Sequence, residues 1–411
     1  MGRVRRLIGG LAVALLASLG PAGSAGAADT GAALTEPPAA LAAALECHGD
    51  LSGAARTPVI LVHGAGSSPE ESFSFGYVPA LRQLGFPVCT VRLPEHGLAD
   101  MQRSIQYVVH AVREVARRSG RQVSLVGHSM GAVLSVYAPT FWPDLAALID
   151  DDIGLSGPYH GSTSFSPACT DGLCPSFSWQ LRPASNIVRA FRDKPRPTGP
   201  SFTAVATAFD EIVTPAPEAG LLPGAASVVV QSVCRLRPIE HFLMASDAVA
   251  YALVLDALTH PGPTDPARVS RRTCLQVFPP GSDLARGAVT APVAVANATA
   301  RALRAPALDA EPQLRCPFDP DACPRPTSLS LTRRCASGGR LQIALTGDVD
   351  AVRRVDFKLG RRLVHRDDAA PFAATIAATP RLARARRLRA IAILSSPPGE
   401  RRILSRPLPR C

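Results

Sequence analysis

From residue 58 onward, short apolar runs alternate with amphipathic stretches. Runs at 58–62, 87–93, 122–126, 148–155, 202–208 and 227–233 are rich in Val, Ile, Leu and Ala. Continuous apolar runs of this length, without alternation, are typical of strands buried on both faces. Between them lie helical patterns at 80–84, 100–118, 132–141 and 246–258. In the second of these, Ile105, Val108, Val109, Val112, Val115 and Ala116 recur at helical spacing. Repeated β–α alternation predicts an α/β fold with a mostly parallel central sheet.

The pattern changes at both ends and once in the middle. Residues 28–45 are Ala-, Pro- and Gly-rich and read as a leader segment that ends in a short helix. Residues 157–200 interrupt the alternation with a Pro-, Ser- and Gly-dense insertion. Long irregular segments above such a sheet usually form a cap or pocket loop. The spacing of Cys169 and Cys174 predicts a small disulfide loop that stiffens it. Residues 284–305 are Ala/Val-rich with helical character, broken by Pro292. After Pro326, runs at 341–345, 352–359, 373–376, 388–394 and 402–404 alternate between turn signals. They predict a small all-β, immunoglobulin-like module over 327–411, with a Cys335–Cys411 bridge tying its terminal strands. That module lacks tryptophan, so it departs from the antibody pattern.

Composition adds a destination. Met1-Gly2-Arg3-Val4-Arg5-Arg6 precedes an apolar run over residues 7–19 and the small-residue site Ala25-Gly26-Ala27. This is the pattern of a secretory signal peptide over 1–27, cut after about Ala27. The run is short for a membrane span, and no later run matches it, so the mature chain is expected to be exported and without a transmembrane segment. Ten cysteines, an even number with no C-x-x-C pair and no zinc spacing, predict five disulfides and no metal site. Arginine greatly outnumbers lysine, which points to a GC-rich bacterial source.

The net charge of +11 is uneven: Arg325 to Cys411 hold 19 basic and 6 acidic residues, so the remainder is mildly acidic. A basic tail module of this kind fits an anionic cell-envelope or lipid surface, or is solvated charge on a small fold. No nucleic-acid-binding motif accompanies the charge, and export argues against that partner.

The candidate chemistry centres on Gly127-His128-Ser129-Met130-Gly131, between the run at 122–126 and the helix at 132–141. G-x-S-x-G in a strand–turn–helix setting is the nucleophile elbow of an α/β-hydrolase. A serine hydroxyl needs a base within hydrogen-bond reach, and the base needs an orienting carboxylate. α/β-Hydrolases supply these in the order Ser, Asp/Glu, His. Asp210 directly follows the run at 202–208, and His241 follows the run at 227–233. His160 precedes Asp210 and breaks that order; His260 lies beyond a helix, and His365 belongs to the β module. Among other acids, Asp150, Asp151 and Asp152 read as capping or solvated charge, while Glu211 and Glu240 adjoin the chosen residues. The oxyanion hole is expected from two backbone amides, Met130 after the nucleophile and Ala65 in His63-Gly64-Ala65-Gly66. His63 has a loop-shaping role in this reading.

Three segments, Pro58-Val59-Ile60-Leu61-Val62-His63-Gly64, Ala208-Phe209-Asp210-Glu211-Ile212-Val213, and Val233-Cys234 with Glu240-His241, resemble the lipase B family of Candida antarctica and its actinobacterial relatives. The resemblance covers about residues 45–325 and implies a hydrolase domain over 46–325. It implies an α/β-hydrolase that cleaves triacylglycerols and other esters without metal or cofactor. It makes Ser129, Asp210 and His241 nucleophile, orienting acid and base. It also implies bridges Cys47–Cys89 and Cys234–Cys274. Cys316 has a counterpart too, and nearness assigns it to Cys323. The stretch 284–305 corresponds to a helix at the pocket mouth. Ala65 stands where the fungal enzyme has threonine, Met130 replaces glutamine and His128 replaces tryptophan.

The expected protein is thus a secreted, monomeric serine ester hydrolase acting on lipid or ester substrates. Alternatives are a short-chain esterase, a polyester depolymerase, or a non-catalytic binding protein on the same fold. Phe73, Phe75, Leu134, Phe165 and Leu173 are candidates to line an apolar acyl pocket.

Overall fold

The computed structural model describes residues 31–169, 174–323, 328–377, 379, 385–394 and 401–409. The expected signal peptide, Leu173 and Cys411 lie outside the described residues.

In chain order the first strands are β1 (Leu45–His48), β2 (Val59–Val62), β3 (Val88–Val91), β4 (Val123–His128), β5 (Ile149–Leu155), the two-residue β6 (Cys174–Pro175), β7 (Ser201–Ala206) and β8 (Ala226–Val229). All except β6 form one sheet in the order β1-β3-β2-β4-β5-β7-β8. Only β1 runs antiparallel, against β3. Successive strand residues point to opposite faces, and both faces are covered. In β2, Ile60 and Val62 enter the core that holds Leu125 and Val133. Val59 and Leu61 enter the core on the other face, with Val126 and Leu253. This two-sided burial is why the strands read as unbroken apolar runs.

The helix Met101–Ser119 covers the first face. The Asp100 side chain caps it by accepting from the Gln102 amide at 2.9 Å, and Gly120 ends it at φ 66°. Its Ile105, Val108, Val109, Val112 and Val115 are fully buried. Each such side chain contributes roughly 1.5 kcal/mol or more through burial.

Several elements depart from the sequence expectations. The run at 227–233 does not remain extended: β8 stops at Val229, and Val230–Val233 forms a helical turn. Its β-branched residues serve either state, and polar Gln231 turns inward to bind Ala208, Thr207 and Arg237. Pro292 does not break its segment, because Leu284–Arg304 is one helix with the proline exposed. The leader is strapped to the body. Trp142 donates to the Ala32 carbonyl at 2.8 Å, and Arg103 pairs with Glu36.

The insertion 157–200 contributes helices Ser176–Gln180 and Asn186–Arg192. Its Gln180 accepts from the Met101 amide, and β6 pairs with β9 (Ala307–Leu308).

After residue 327 come β10 (Leu329–Ala336), β11 (Arg340–Gly347), β12 (Val352–Leu359), β13 (Arg362–Asp367), β14 (Ala373–Ile376), β15 (Arg387–Leu394) and β16 (Arg401–Pro407). They form antiparallel sheets β10-β11-β14 and β13-β12-β15-β16. Leu331, Leu341, Ile343 and Leu345 from the first pack with Val355, Phe357, Leu388 and Ala390 from the second. This is a seven-stranded, immunoglobulin-like sandwich. β10 and β13, short of a clear run in the sequence, were not anticipated as strands.

Disulfides join Cys47 to Cys89, Cys169 to Cys174, Cys234 to Cys274 and Cys316 to Cys323. Cys335 is also disulfide-bonded. No described helix is long and apolar enough to cross a membrane.

Candidate active site

β4 is the central strand of the sheet, and the chain turns sharply at its carboxyl end. Ser129 sits in that turn at φ 56°, ψ −125°, and the helix Met130–Phe141 starts at the next residue. Two glycines permit the turn. A Cβ on Gly131 would lie 2.1 Å from the Val62 carbonyl oxygen, and one on Gly127 would lie 2.5 Å from Ala132 backbone atoms. Strand and helix therefore meet at a distance only glycine allows.

The loops after β7 and β8 bring the other two residues to Ser129. Asp210 is held by its own turn, accepting from the amides of Ile212 at 3.1 Å and Val213 at 2.6 Å. His241 Nδ1 lies 3.0 and 3.1 Å from the two Asp210 carboxylate oxygens, and Nε2 lies 2.9 Å from Ser129 Oγ. A carboxylate accepts only, so Nδ1 carries a proton toward Asp210 and neutral Nε2 is free to accept the serine proton. His241 and Asp210 are 2 % and 7 % exposed. Burial pushes the Asp210 carboxyl up, but the His241 contact and the Val213 amide outweigh it and hold it below its ordinary value.

A support layer surrounds these residues. Glu211 accepts from the His241 amide at 3.1 Å and does not substitute for Asp210. Glu240 caps the next turn, accepting from Phe242 and Leu243, and burial raises its pKa. Gln231 links the 207–208 segment to Arg237, and Thr207 donates to the Ile239 carbonyl at 2.7 Å. Sequence reading did not anticipate Gln231 or Thr207; a lone polar residue within an apolar run was the available signal for the first.

A buried histidine braces the loop that holds Ala65. His63 Nδ1 is 2.8 Å from the Gly64 carbonyl oxygen, and its Nε2 accepts from the Leu93 amide at 3.1 Å. In a trans peptide the C=O and N–H point in opposite directions. Fixing the Gly64 carbonyl toward His63 therefore turns the N–H of Ala65, a residue that lines the cavity, away from His63. Burial lowers the His63 pKa to about 4, so the ring stays neutral. Met130 is the first helical residue, so its amide has no acceptor within the helix.

His128 lies between strand and nucleophile, 5 % exposed, with Nε2 2.9 Å from the His241 carbonyl oxygen. Burial and the neighbouring His241 lower its pKa to about 3.

A cavity of about 90 Å³ opens beside Ser129 and His241. Gly64, Ala65, Ser67, Ser72 and Phe75 form one side; Ala291, Ala294, Val295 and Ala298 of the helix Leu284–Arg304 form another. Of the four described residues expected to line an acyl pocket, Phe75 does so; Leu173 lies outside the described residues. Phe73 and Leu134 are fully buried in the two cores, and Phe165 packs edge-on against Phe177. Among the described residues of 157–200, none lines this cavity.

The remaining candidates stand apart. His160 lines a separate cavity with Phe191 and Leu222, His260 pairs with Asp256, and His365 lies against Phe357. Asp151 and Asp152 are not solvated. Asp151 is buried and accepts from Ser124 Oγ at 3.1 Å and Ser201 Oγ at 2.5 Å, with its pKa raised by burial to about 6. Burial also raises the pKa of Asp152. Only Asp150 of the three is exposed. Among the described residues there is no group of metal-ligating side chains.

The parallel sheet, the elbow and the carboxylate–histidine–serine line define the class as an α/β-hydrolase, of the carboxylic ester hydrolase kind. No family model matches the sequence. The chain is 27 % identical over 315 residues to lipase B of Pseudozyma antarctica, covering 74 % of this chain and 90 % of that protein. It superimposes on the crystal structure of Aspergillus fumigatus lipase B with a TM-score of 0.65 at 25 % identity, covering 70 % of this chain and 74 % of the other. Within its class the chain is similar to these two fungal lipases B.

Proposed function

We propose that the protein is an exported serine hydrolase that cleaves triacylglycerols or related carboxylic esters through an acyl-enzyme. The supporting observation is the continuous hydrogen-bonded line from Asp210 through His241 to Ser129. In this reading His241 Nε2 removes the Ser129 proton as Oγ attacks the ester carbonyl. The amides of Ala65 and Met130 hold the developing oxyanion. The tetrahedral intermediate collapses, and His241 returns the proton to the leaving alcohol. Water, deprotonated by His241, then attacks the acyl-enzyme and regenerates Ser129. Asp210 keeps the imidazole in the required tautomer and stabilises the imidazolium. Having alanine at position 65, this hole works through backbone donors without a threonine hydroxyl.

Ala291, Ala294 and Ala298 form part of the wall beside Ser129, so the length of acyl chain that this wall accepts is the second point to test. Hydrolysis of an acyl-chain-length series with the Ser129→Ala control tests both points. Loss of turnover in Ser129→Ala is expected. Retained turnover, or no labelling of the wild type by a serine-directed phosphonate, would leave the non-catalytic alternative in place.

A further inference from the structure

His128 brings to the cavity a ring nitrogen that plain ester hydrolysis does not use. A backbone carbonyl only accepts, so the 2.9 Å contact between His128 Nε2 and the His241 carbonyl oxygen requires the proton on Nε2. The ring is neutral because burial and the adjacent His241 hold its pKa near 3. Nδ1 therefore carries a lone pair. No described residue hydrogen-bonds Nδ1, and His128 lines the cavity.

Its position relative to the reaction follows from proton transfer. On the proposed mechanism, His241 Nε2 delivers its proton to the leaving oxygen, so the alcohol part of the ester lies against His241. The His128 and His241 rings are 5.0 Å apart between centroids. The same alcohol part therefore lies alongside His128. The other polar side chains that line the cavity are already engaged: Glu240 accepts from the Phe242 and Leu243 amides, Ser246 donates to the Leu243 carbonyl, Glu71 pairs with Arg301 and Asn297, and Ser67 bonds Ser72.

We propose that His128 selects esters whose alcohol part carries a free hydroxyl next to the ester-bearing carbon, with Nδ1 accepting that hydroxyl. Partial esters of polyols, such as monoacyl and diacyl glycerols, have this chemistry; fully acylated glycerol does not. This rests on the acyl-enzyme reading of Ser129 and names the substrate class within it.

The test compares 2-hydroxyethyl butanoate with propyl butanoate, which exchange a hydroxyl for a methyl. For the wild type, kcat/KM should favour the hydroxylated ester by about tenfold, the scale of leaving an acceptor unpaired. In His128→Phe the ratio should fall to about one. Both rates should also drop there, because the contact to the His241 carbonyl is lost as well. The ratio separates recognition from that positioning effect. His128→Gln, with an amide able to donate and accept, should restore part of the preference. A wild-type ratio of one or less, or an unchanged ratio in His128→Phe, overturns the proposal. The wild-type ratio decides the matter if His128→Phe does not fold. Equal, Ser129-dependent turnover of both esters would remove only hydroxyl recognition. Undiminished turnover in Ser129→Ala would remove the acyl-enzyme reading itself.

Discussion

His63 donates through Nδ1 to the carbonyl oxygen of Gly64, 2.8 Å away, and by doing so fixes the peptide whose N–H belongs to Ala65, the proposed oxyanion donor. This contact takes no part in the proton transfer, although Gly64 packs against Ser129, and it orients the peptide of the proposed Ala65 donor. His63→Phe should reduce kcat by roughly tenfold to a hundredfold, because a misaimed oxyanion donor weakens only transition-state stabilisation. KM for a soluble ester should change little. A steady-state comparison on short esters checks this; a KM rise at constant kcat would contradict the orienting role.

The helix over the cavity is fastened to the same loop. Arg301 reaches the Gly66 carbonyl at 2.9 Å and the Glu71 carboxylate at 2.6 Å, and Asn297 donates to Glu71 at 2.8 Å. Glu71 is partly buried, so its loss of a charged partner matters more than for a surface pair. Arg301→Ala should loosen the roof, raising activity on longer acyl chains relative to butanoate by several-fold and lowering stability by about 1 kcal/mol. Chain-length profiles and denaturant titrations measure the two effects.

Buried Asp151 makes stability depend on pH. Its folded pKa near 6 lies above the ordinary carboxyl value, so between about pH 4 and 6 the folded chain holds a proton that the unfolded chain releases. Its favourable contribution is complete below about pH 4 and is lost as pH rises to about 6. The loss is on the order of 2 kcal/mol. Asp151→Asn keeps an acceptor and a donor for Ser124 and Ser201 and should flatten this part of the pH–stability curve. Urea titrations from pH 4 to 7 test it, and an unchanged slope would count against the assignment.

The outward face of the four-stranded sheet in the tail sandwich gathers Lys358, Arg387, Arg389 and Arg401 around Ile391 and Ile403, together with Arg366, which is paired with Asp356 on the same face. Ile403 is 64 % exposed. We propose that this face adsorbs to anionic lipid, with cations meeting headgroups and the isoleucines entering the interface. Replacing Arg387, Arg389 and Arg401 by glutamate in the full chain should abolish salt-sensitive binding to anionic vesicles and leave soluble-ester hydrolysis intact. Cosedimentation at low and high salt reads this out.

The parts of this molecule visible in the sequence are those with local physics. Strands buried on two faces appear as unbroken apolar runs, and the elbow appears because its glycines must flank the serine. Asp210 and His241 were legible through chain order and through their place after strands. The less legible parts depend on distant segments meeting. Nothing near Ala32 indicates that Trp142 will bind its carbonyl. Asp151 looks solvated until Ser124 and Ser201 are brought beside it by the sheet register. The bond from His128 to the His241 backbone joins residues 113 positions apart. Val230–Val233 was misread because β-branched residues tolerate a helical turn once Gln231 has partners to satisfy.

The cavity-facing side of the helix Leu284–Arg304 has a consequence for how this enzyme diversifies. Ala291 is exposed and Ala294 only half-buried, so neither supports a core. Ala298 is different: a Cβ on the facing Gly66 would come within 2.9 Å of its carbonyl oxygen, which fixes that contact. The helix is thus anchored at one turn and free to vary a turn or two away. Changes at positions 291 and 294 can reshape what enters without disturbing folding or the reacting groups, so ligand choice is free to drift while the chemistry stays constant.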